Sequence, residues 1–266
     1  MLKTRIVTAS ILGAALLVVV LWLPPLATIL ALTVAVLAGA WEWSAFLRTS
    51  SAWVRGAYVV LIAALLPVAW EFTVTPERRD ALLMIALAWW TVALLWVALA
   101  PRRVTPLAAG LAGILALVPA WVALIRLLDL QHGTQWLLFA LVLVWTADIG
   151  AFFFGRRYGR VPLAPAVSPG KTWEGVIGGF AASAFIALAG AWWFGVSLAK
   201  FLPLCIAAVA FSIVGDLTES LLKRYAGVKD SGSVFPGHGG VMDRIDSVTG
   251  AAPVLLLGLT ALGVAT

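Results

Sequence analysis

Apolar runs close to the ~20 residues that a helix needs to cross a bilayer follow one another along almost the whole chain. They fall at 6–23, 26–47, 53–72, 81–100, 105–125, 135–154, 174–194, 201–222 and 247–265. No stretch between them is long enough for a separate soluble domain, and the longest connections are 155–173 and 223–246. Composition agrees. Of 266 residues, 63% are hydrophobic and 11% charged, where a soluble domain carries roughly 25% charged residues. So much apolar surface cannot be hidden from water by the chain folding on itself. The reading is an all-α integral membrane protein with about nine transmembrane helices, a single polytopic domain over 1–266 without internal repeats.

The first run follows Lys3 and Arg5, as in a signal peptide, but no small-x-small cleavage site comes after it. It ends at Trp22-Leu23-Pro24-Pro25 and another apolar run begins at once, so it is expected to stay as the first helix. With the N-terminus inside, only Arg78, Arg79, Arg126 and Lys200 of the 18 lysines and arginines fall outside. The positive-inside rule then puts the N-terminus in the cytoplasm, the C-terminus outside and both long connections on the cytoplasmic face. The same distribution, basic residues scattered through short loops, argues against nucleic acid as the reason for the net charge of +6. Trp22, Trp70, Trp136 and Trp192 are expected at the outer interface, Trp53 and Trp173 at the inner one, and Trp89 and Trp90 in packing. A lone cysteine, Cys205, permits no internal disulfide, and with His132 and His238 alone no Cys/His zinc cluster can form.

Charges in or beside apolar helices cost ~2.5–3.5 kcal/mol each on insertion scales, so each needs a reason. Asp148, in Trp145-Thr146-Ala147-Asp148-Ile149-Gly150, lies within the sixth run, about 9 Å from its inner end at 1.5 Å per residue. It serves either a helix–helix hydrogen bond or a ligand. The eighth run closes with Asp216, Glu219, Ser220 and Lys223 on one helical stripe, followed by Arg224. An ordinary Glu219–Lys223 pair leaves Asp216 unexplained, and two carboxylates one turn apart suit a divalent cation. The following loop carries Lys229, Asp230 and the glycines Gly237, Gly239 and Gly240 around His238, which let backbone N–H groups approach an anion. Asp243, Arg244 and Asp246 stand at the mouth of the ninth run. Helix capping explains one aspartate there, but not its company.

The loop at 155–173 contains Ser168-Pro169-Gly170-Lys171-Thr172-Trp173-Glu174, where the Gly-Lys-Thr triplet invites a P-loop reading. A P-loop needs glycine at 165, where this chain has proline, and a preceding strand, which is not expected here. What remains is Lys171 and Glu174 at a helix start, groups suited to phosphate and cation contact. Seven of the chain's 12 acidic residues lie from Asp148 onward, on or near one membrane face among lysines and arginines. Carboxylates holding Mg²⁺ beside cations holding phosphates is the layout of phosphoryl-type transfer.

The stretch from Ser220 through Lys223, Arg224, Lys229, Asp230, Pro236, Gly237, His238, Gly239, Gly240, Asp243 and Arg244 to Asp246 resembles the signature of the phosphatidate cytidylyltransferase family. The blocks Ser168–Gly175 and Asp148–Gly155 are similar to two further blocks of that family, so specific resemblance covers about residues 145–250. The resemblance implies joining of CTP and phosphatidic acid to give CDP-diacylglycerol and pyrophosphate. It also implies an Mg²⁺-dependent two-metal centre, with K⁺ as an alternative second cation, and a homodimer in a bacterial inner membrane. Asp216 and Asp243 match its metal positions, with Asp246 and Glu219 beside them. Lys171, Lys223, Arg224, Lys229 and Arg244 are then expected to hold phosphates, with Asp148, Ser168, Thr172, Glu174, Asp230 and the loop glycines around the substrates and His238 binding or acting chemically. Residues 131–266 are expected to form the catalytic part and 1–130 a scaffold that faces lipid or a second copy. Glu42 has no assigned role. The competing readings are a CTP-using transferase or kinase on a polyisoprenoid lipid, and a transporter. The transporter is disfavoured because the charges cluster at one face rather than at mid-depth.

Overall fold

A computed structural model describes residues 2–235 and 239–264, with side chains from Ile11 on, Leu12 apart. Gly237 and His238, and the side chains of Lys3 and Arg5, therefore lie outside the described residues. The chain runs α1 (Leu2–Trp22), α2 (Pro25–Trp43), a 3-10 turn (Ser44–Leu47), α3 (Ala52–Phe72), α4 (Pro76–Leu99), α5 (Pro106–Leu128) and α6 (Gly133–Tyr158). A small antiparallel hairpin, β1 (Pro162–Ala164) and β2 (Ser168–Thr172), then leads into α7 (Trp173–Phe194), α8 (Leu198–Ala226) and α9 (Met242–Ala261). Among the described residues, seven of these helices, α2 to α8, are long and apolar enough to cross a membrane. The starts follow local chemistry. Pro25, Pro76 and Pro106 open α2, α4 and α5, where a missing N–H costs nothing, and the Thr105 and Thr172 hydroxyls cap α5 and α7.

α5 is the axis of the bundle. Its span is 72% buried, against 22% for α3, because it packs on α2, α3, α4, α6 and α9 while α3 leaves most of its surface facing outward. Its alanines and Gly113 allow that closeness: a Cβ at Gly113 would collide with the Trp43 and Tyr58 side chains. α6 and α7 also touch backbone to backbone through glycine. Gly150 lies against the carbonyl of Gly178, and Gly179 against that of Ala147. α8 and α9 do the same where Gly215 meets the carbonyl of Asp246 and Gly250 that of Phe211. Small residues on facing helix surfaces are what lets helices associate in lipid, where no hydrophobic force separates helix from solvent.

Several expectations change. The loop at 155–173 contains the hairpin, so a strand does precede Gly170 and Lys171, although Pro165 still rules out a P-loop. α8 runs four residues beyond 222 and stops at Gly227, whose φ of +75° is the left-handed conformation that ends helices. α9 begins at Met242 rather than 247, which places Asp243 and Asp246 inside its first turns. Trp136 is not an interface residue: it is 2% exposed and stacks on Phe194 with ring centroids 3.5 Å apart. Trp22, Trp53, Trp173 and Trp192 are open to the surroundings, Trp90 is packed inside, and Cys205 is buried with no disulfide.

Candidate active site

The end of α6, the hairpin, the start of α7, the end of α8 and the start of α9 meet around one cleft of about 580 Å³. Asp148, Lys171, Thr172, Asp216, Lys223, Asp230, Asp243, Arg244 and Asp246 line it. Phe152, Leu163, Val176 and Ile213 add apolar lining. Phe152 is 58% exposed and belongs to a run of open aromatic side chains on α6, so at this side the cleft borders exposed apolar surface of the bundle.

Local folding explains how the polar groups arrive. The Glu174 carboxylate accepts the backbone N–H groups of Arg160 (3.1 Å) and Val161 (3.2 Å), and Trp173 N–H bonds to the carbonyl of Val161, which closes the base of the hairpin. The closed hairpin holds Lys171 over α8, where its ammonium pairs with Asp216. Lys223, about two turns further along α8, donates to Glu219 Oε2 at 2.6 Å and to Asp243 Oδ1 at 2.7 Å, tying α8 to α9. Asp243 also receives the N–H of Ser231 (3.1 Å), the Ser231 hydroxyl (3.0 Å) and the N–H of Gly240 (2.7 Å). The positive φ of Gly239, +78°, makes this turn, and a Cβ there would strike the Asp243 carboxylate.

Not every expected residue reaches the cleft. Glu174 is spent on the hairpin. Arg224 leaves the cleft and donates Nε–H to the carbonyl of Val167 at 3.3 Å. Ser168 on β2 and the exposed Lys229 are not part of the cleft lining. Four amides at the ends of the glycine loop go to protein carboxylates: Ser231 and Gly240 to Asp243, Val241 and Met242 to Glu42. Three participants were missed by the sequence reading. Arg156 and Ser247 line the cleft, and Glu42 closes the loop from α2. Arg156 was visible as one of three arginines just past the Asp148 block, and Glu42 as an unexplained charge in an apolar run.

The donor chemistry suits a hard divalent cation. Asp216, Asp243 and Asp246 face the cleft, and Oε1 of Glu219, in a side chain fully closed off from solvent, has no hydrogen-bond partner among the described residues. No three acidic, histidine or cysteine groups among those residues form a ready-made cage. Lys171 and Lys223 sit on the carboxylates instead.

Known proteins share this framework. Residues 3–262 match the Cytidylyltransferase family. A phosphatidate cytidylyltransferase of Pseudomonas aeruginosa is 42% identical over 99% of this chain and 98% of its own length. One of Haemophilus influenzae is 38% identical over 95% of this chain and 96% of its own. A third, of Staphylococcus saprophyticus, is 42% identical over 47% of this chain and 49% of its own. Since the match runs from the first helix to the last and takes in every element that builds the cleft, this chain belongs to the cytidylyltransferase family.

Proposed function

We propose that the protein transfers the cytidylyl group of CTP to phosphatidic acid, yielding CDP-diacylglycerol and pyrophosphate in phospholipid biosynthesis. One observation carries this reading: a single cleft combines paired lysines and carboxylates with apolar lining that includes Phe152, one of a run of exposed aromatic side chains on α6. A nucleotide alone needs no such apolar opening. A lipid phosphate does, because its head group must meet charge while its acyl chains stay in the bilayer. The near-full-length relatives named phosphatidate cytidylyltransferase support the same substrates.

In this reading an oxygen of the phosphatidate phosphate attacks the α-phosphorus of CTP, and the bond from that phosphorus to pyrophosphate breaks. The lipid is itself the nucleophile, so no covalent enzyme intermediate is required. Both reactants are anions, and Lys171, Lys223, Arg244 and Arg156 lower their mutual repulsion and orient them. Asp216, Asp243, Asp246 and Glu219 would hold Mg²⁺, with K⁺ as an alternative second cation. When bound, the metal neutralises charge that develops on the phosphates. Lys171 and Lys223, which pair with these carboxylates here, would face phosphate oxygens with the substrates bound. Asp148, Thr172, Asp230 and the loop around His238 complete the substrate surroundings.

We place nine helices across a bacterial inner membrane, with the N-terminus and the cleft on the cytoplasmic side and the C-terminus outside. Residues 131–266 would do the chemistry, with 1–130 as scaffold and the surface for a homodimer. The test of orientation uses a cysteine-free background. Arg102→Cys should be shielded from an impermeant thiol reagent outside intact cells and Lys200→Cys labelled; the opposite pattern would invert the topology. The test of activity is product formation by the purified protein from CTP and phosphatidate in Mg²⁺, abolished by EDTA, with a prenyl phosphate as competing acceptor. Preference for the prenyl phosphate would move the assignment to a polyisoprenoid lipid.

A further inference from the structure

Glu42 lies near the C-terminal end of α2 and is 5% exposed. Such a charge in an apolar helix needs compensation. Among the described residues no lysine or arginine pairs with it, although five ion pairs form elsewhere. Its compensation comes from the far end of the chain. Oε2 accepts the N–H of Met242 at 2.7 Å and the Ser231 hydroxyl at 2.9 Å, and Oε1 accepts the N–H of Val241 at 3.0 Å. Val241 and Met242 open α9, which has no side-chain cap of its own. Glu42 therefore caps α9 from another helix, with its negative charge at the positive end of that helix dipole.

The contact is shaped on both sides. A Cβ at Gly232 or Gly240 would run into the Glu42 carboxylate, so both ends of the loop are glycine where they pass it. Met242 and Ile245 of α9 pack on Gly39, one turn earlier on α2. The Ser231 hydroxyl stands between two carboxylates, 2.9 Å from Glu42 and 3.0 Å from Asp243, and its one hydrogen can serve either. Asp243 in turn accepts from Lys223. A continuous chain of hydrogen bonds thus leads from α2 through Ser231 to the carboxylate expected to hold metal.

Resting on the function proposed above, we propose that Glu42 is a positioning residue for the reaction: from α2 it holds Ser231 and the first turn of α9 so that Asp243 meets the cleft in one orientation. It touches neither substrate. Its loss lets the loop and the start of α9 open, and Asp243 loses its fixed direction.

Glu42→Gln tests this in the full-length protein in detergent, with Glu71→Gln, an exposed carboxylate on α3, as control. Glutamine keeps the shape of Glu42 but turns an amide N–H₂ toward donors that need an acceptor. Amide hydrogen exchange in the peptide spanning 229–243 should quicken about tenfold or more in Glu42→Gln, while α5 exchanges as in the wild type. The Mg²⁺ concentration for half-maximal cytidylyl transfer should rise about 10- to 100-fold, the usual scale for losing a group that orients a ligand, with the phosphatidate KM within a factor of about two. Glu71→Gln should change neither. Unaltered exchange in 229–243 would overturn the proposal. Quickening spread equally through α5 would also overturn it, since Glu42 would then be a general fold contact. A wild-type protein with no cytidylyl transfer would sink the assigned reaction, and the exchange comparison would still judge the hold of Glu42 on the loop.

Discussion

α3 and α8 show how differently two spans of one bundle can use the same membrane. α3 is 22% buried, charged only at Arg55 and Glu71 near its two ends, and held to the bundle through Tyr58, Ile62 and Leu66 on one face. α8 carries Asp216, Glu219, Ser220 and Lys223 on a single stripe, and each of these groups is engaged by another within the same end of the bundle. Insertion cost explains the contrast: a charge facing lipid is removed, and a charge is kept where a partner or ligand repays it. Five of the seven acidic residues from Asp148 onward line one cleft. The N-terminal half contributes one, Glu42, and that one also ends at the cleft's rim. The buried carboxylates Glu42, Glu219 and Asp246 therefore all gather at this end of the bundle, whichever half of the chain supplies them.

The sharpest way to break that contrast is to remove charge from the stripe itself. Asp216→Asn and Asp243→Asn should each lower kcat by about a thousandfold, the effect of losing several kcal/mol of transition-state stabilisation, while membrane insertion stays near wild type. Asp129→Asn, at the end of α5 in a half-exposed pair with Arg126, serves as the control and should change kcat by less than about fivefold. Near-normal turnover of both site variants at low Mg²⁺ would make the stripe structural. A smaller effect is expected at Gly239. Valine there must adopt a left-handed φ and press on Asp243, so Gly239→Val should raise the CTP KM about tenfold, given strain of ~1–3 kcal/mol, and the phosphatidate KM less. Equal CTP kinetics would detach the loop from nucleotide binding. The smallest effect belongs to Glu174, whose carboxylate closes the hairpin rather than lining the cleft. Glu174→Gln should keep turnover within about fivefold, the scale of an exposed polar contact, and a loss as large as that of Asp216→Asn would return it to the reacting centre.

The helices were legible in the sequence because the bilayer forces length and apolarity together, and α7 appears at Trp173–Phe194 against an expected 174–194. Hydropathy misplaced the ends where charge enters the helix. α9 starts five residues before its apolar run because a helix N-terminus accommodates Asp243. The hairpin was not legible: its strands are three and five residues long, interrupted by Pro162 and Pro169, with no alternation to read. Asp148, Asp216, Lys223, Asp243 and Asp246 were legible as charges out of place. The division of labour between Lys171 at the cleft and Glu174 at the hairpin base was not, since both stand in one short block and only the turn of the chain separates them. Glu42 shows the limit of local pattern. Its partners lie 189 to 200 residues away, and only the cost of a charge in an apolar run pointed to it.

The central claim, cytidylyl transfer to a lipid phosphate in this cleft, is tested most directly by following which phosphate of CTP enters the lipid. Purified protein is given phosphatidate and Mg²⁺ with CTP labelled at either the α or the γ phosphate. The α label should appear in the lipid product and the γ label only in pyrophosphate, with neither transfer in Asp243→Asn. Gamma label in the lipid would show a kinase, and absence of both labels from the lipid, with the wild-type protein folded and Mg²⁺ present, would contradict the assignment of this cleft.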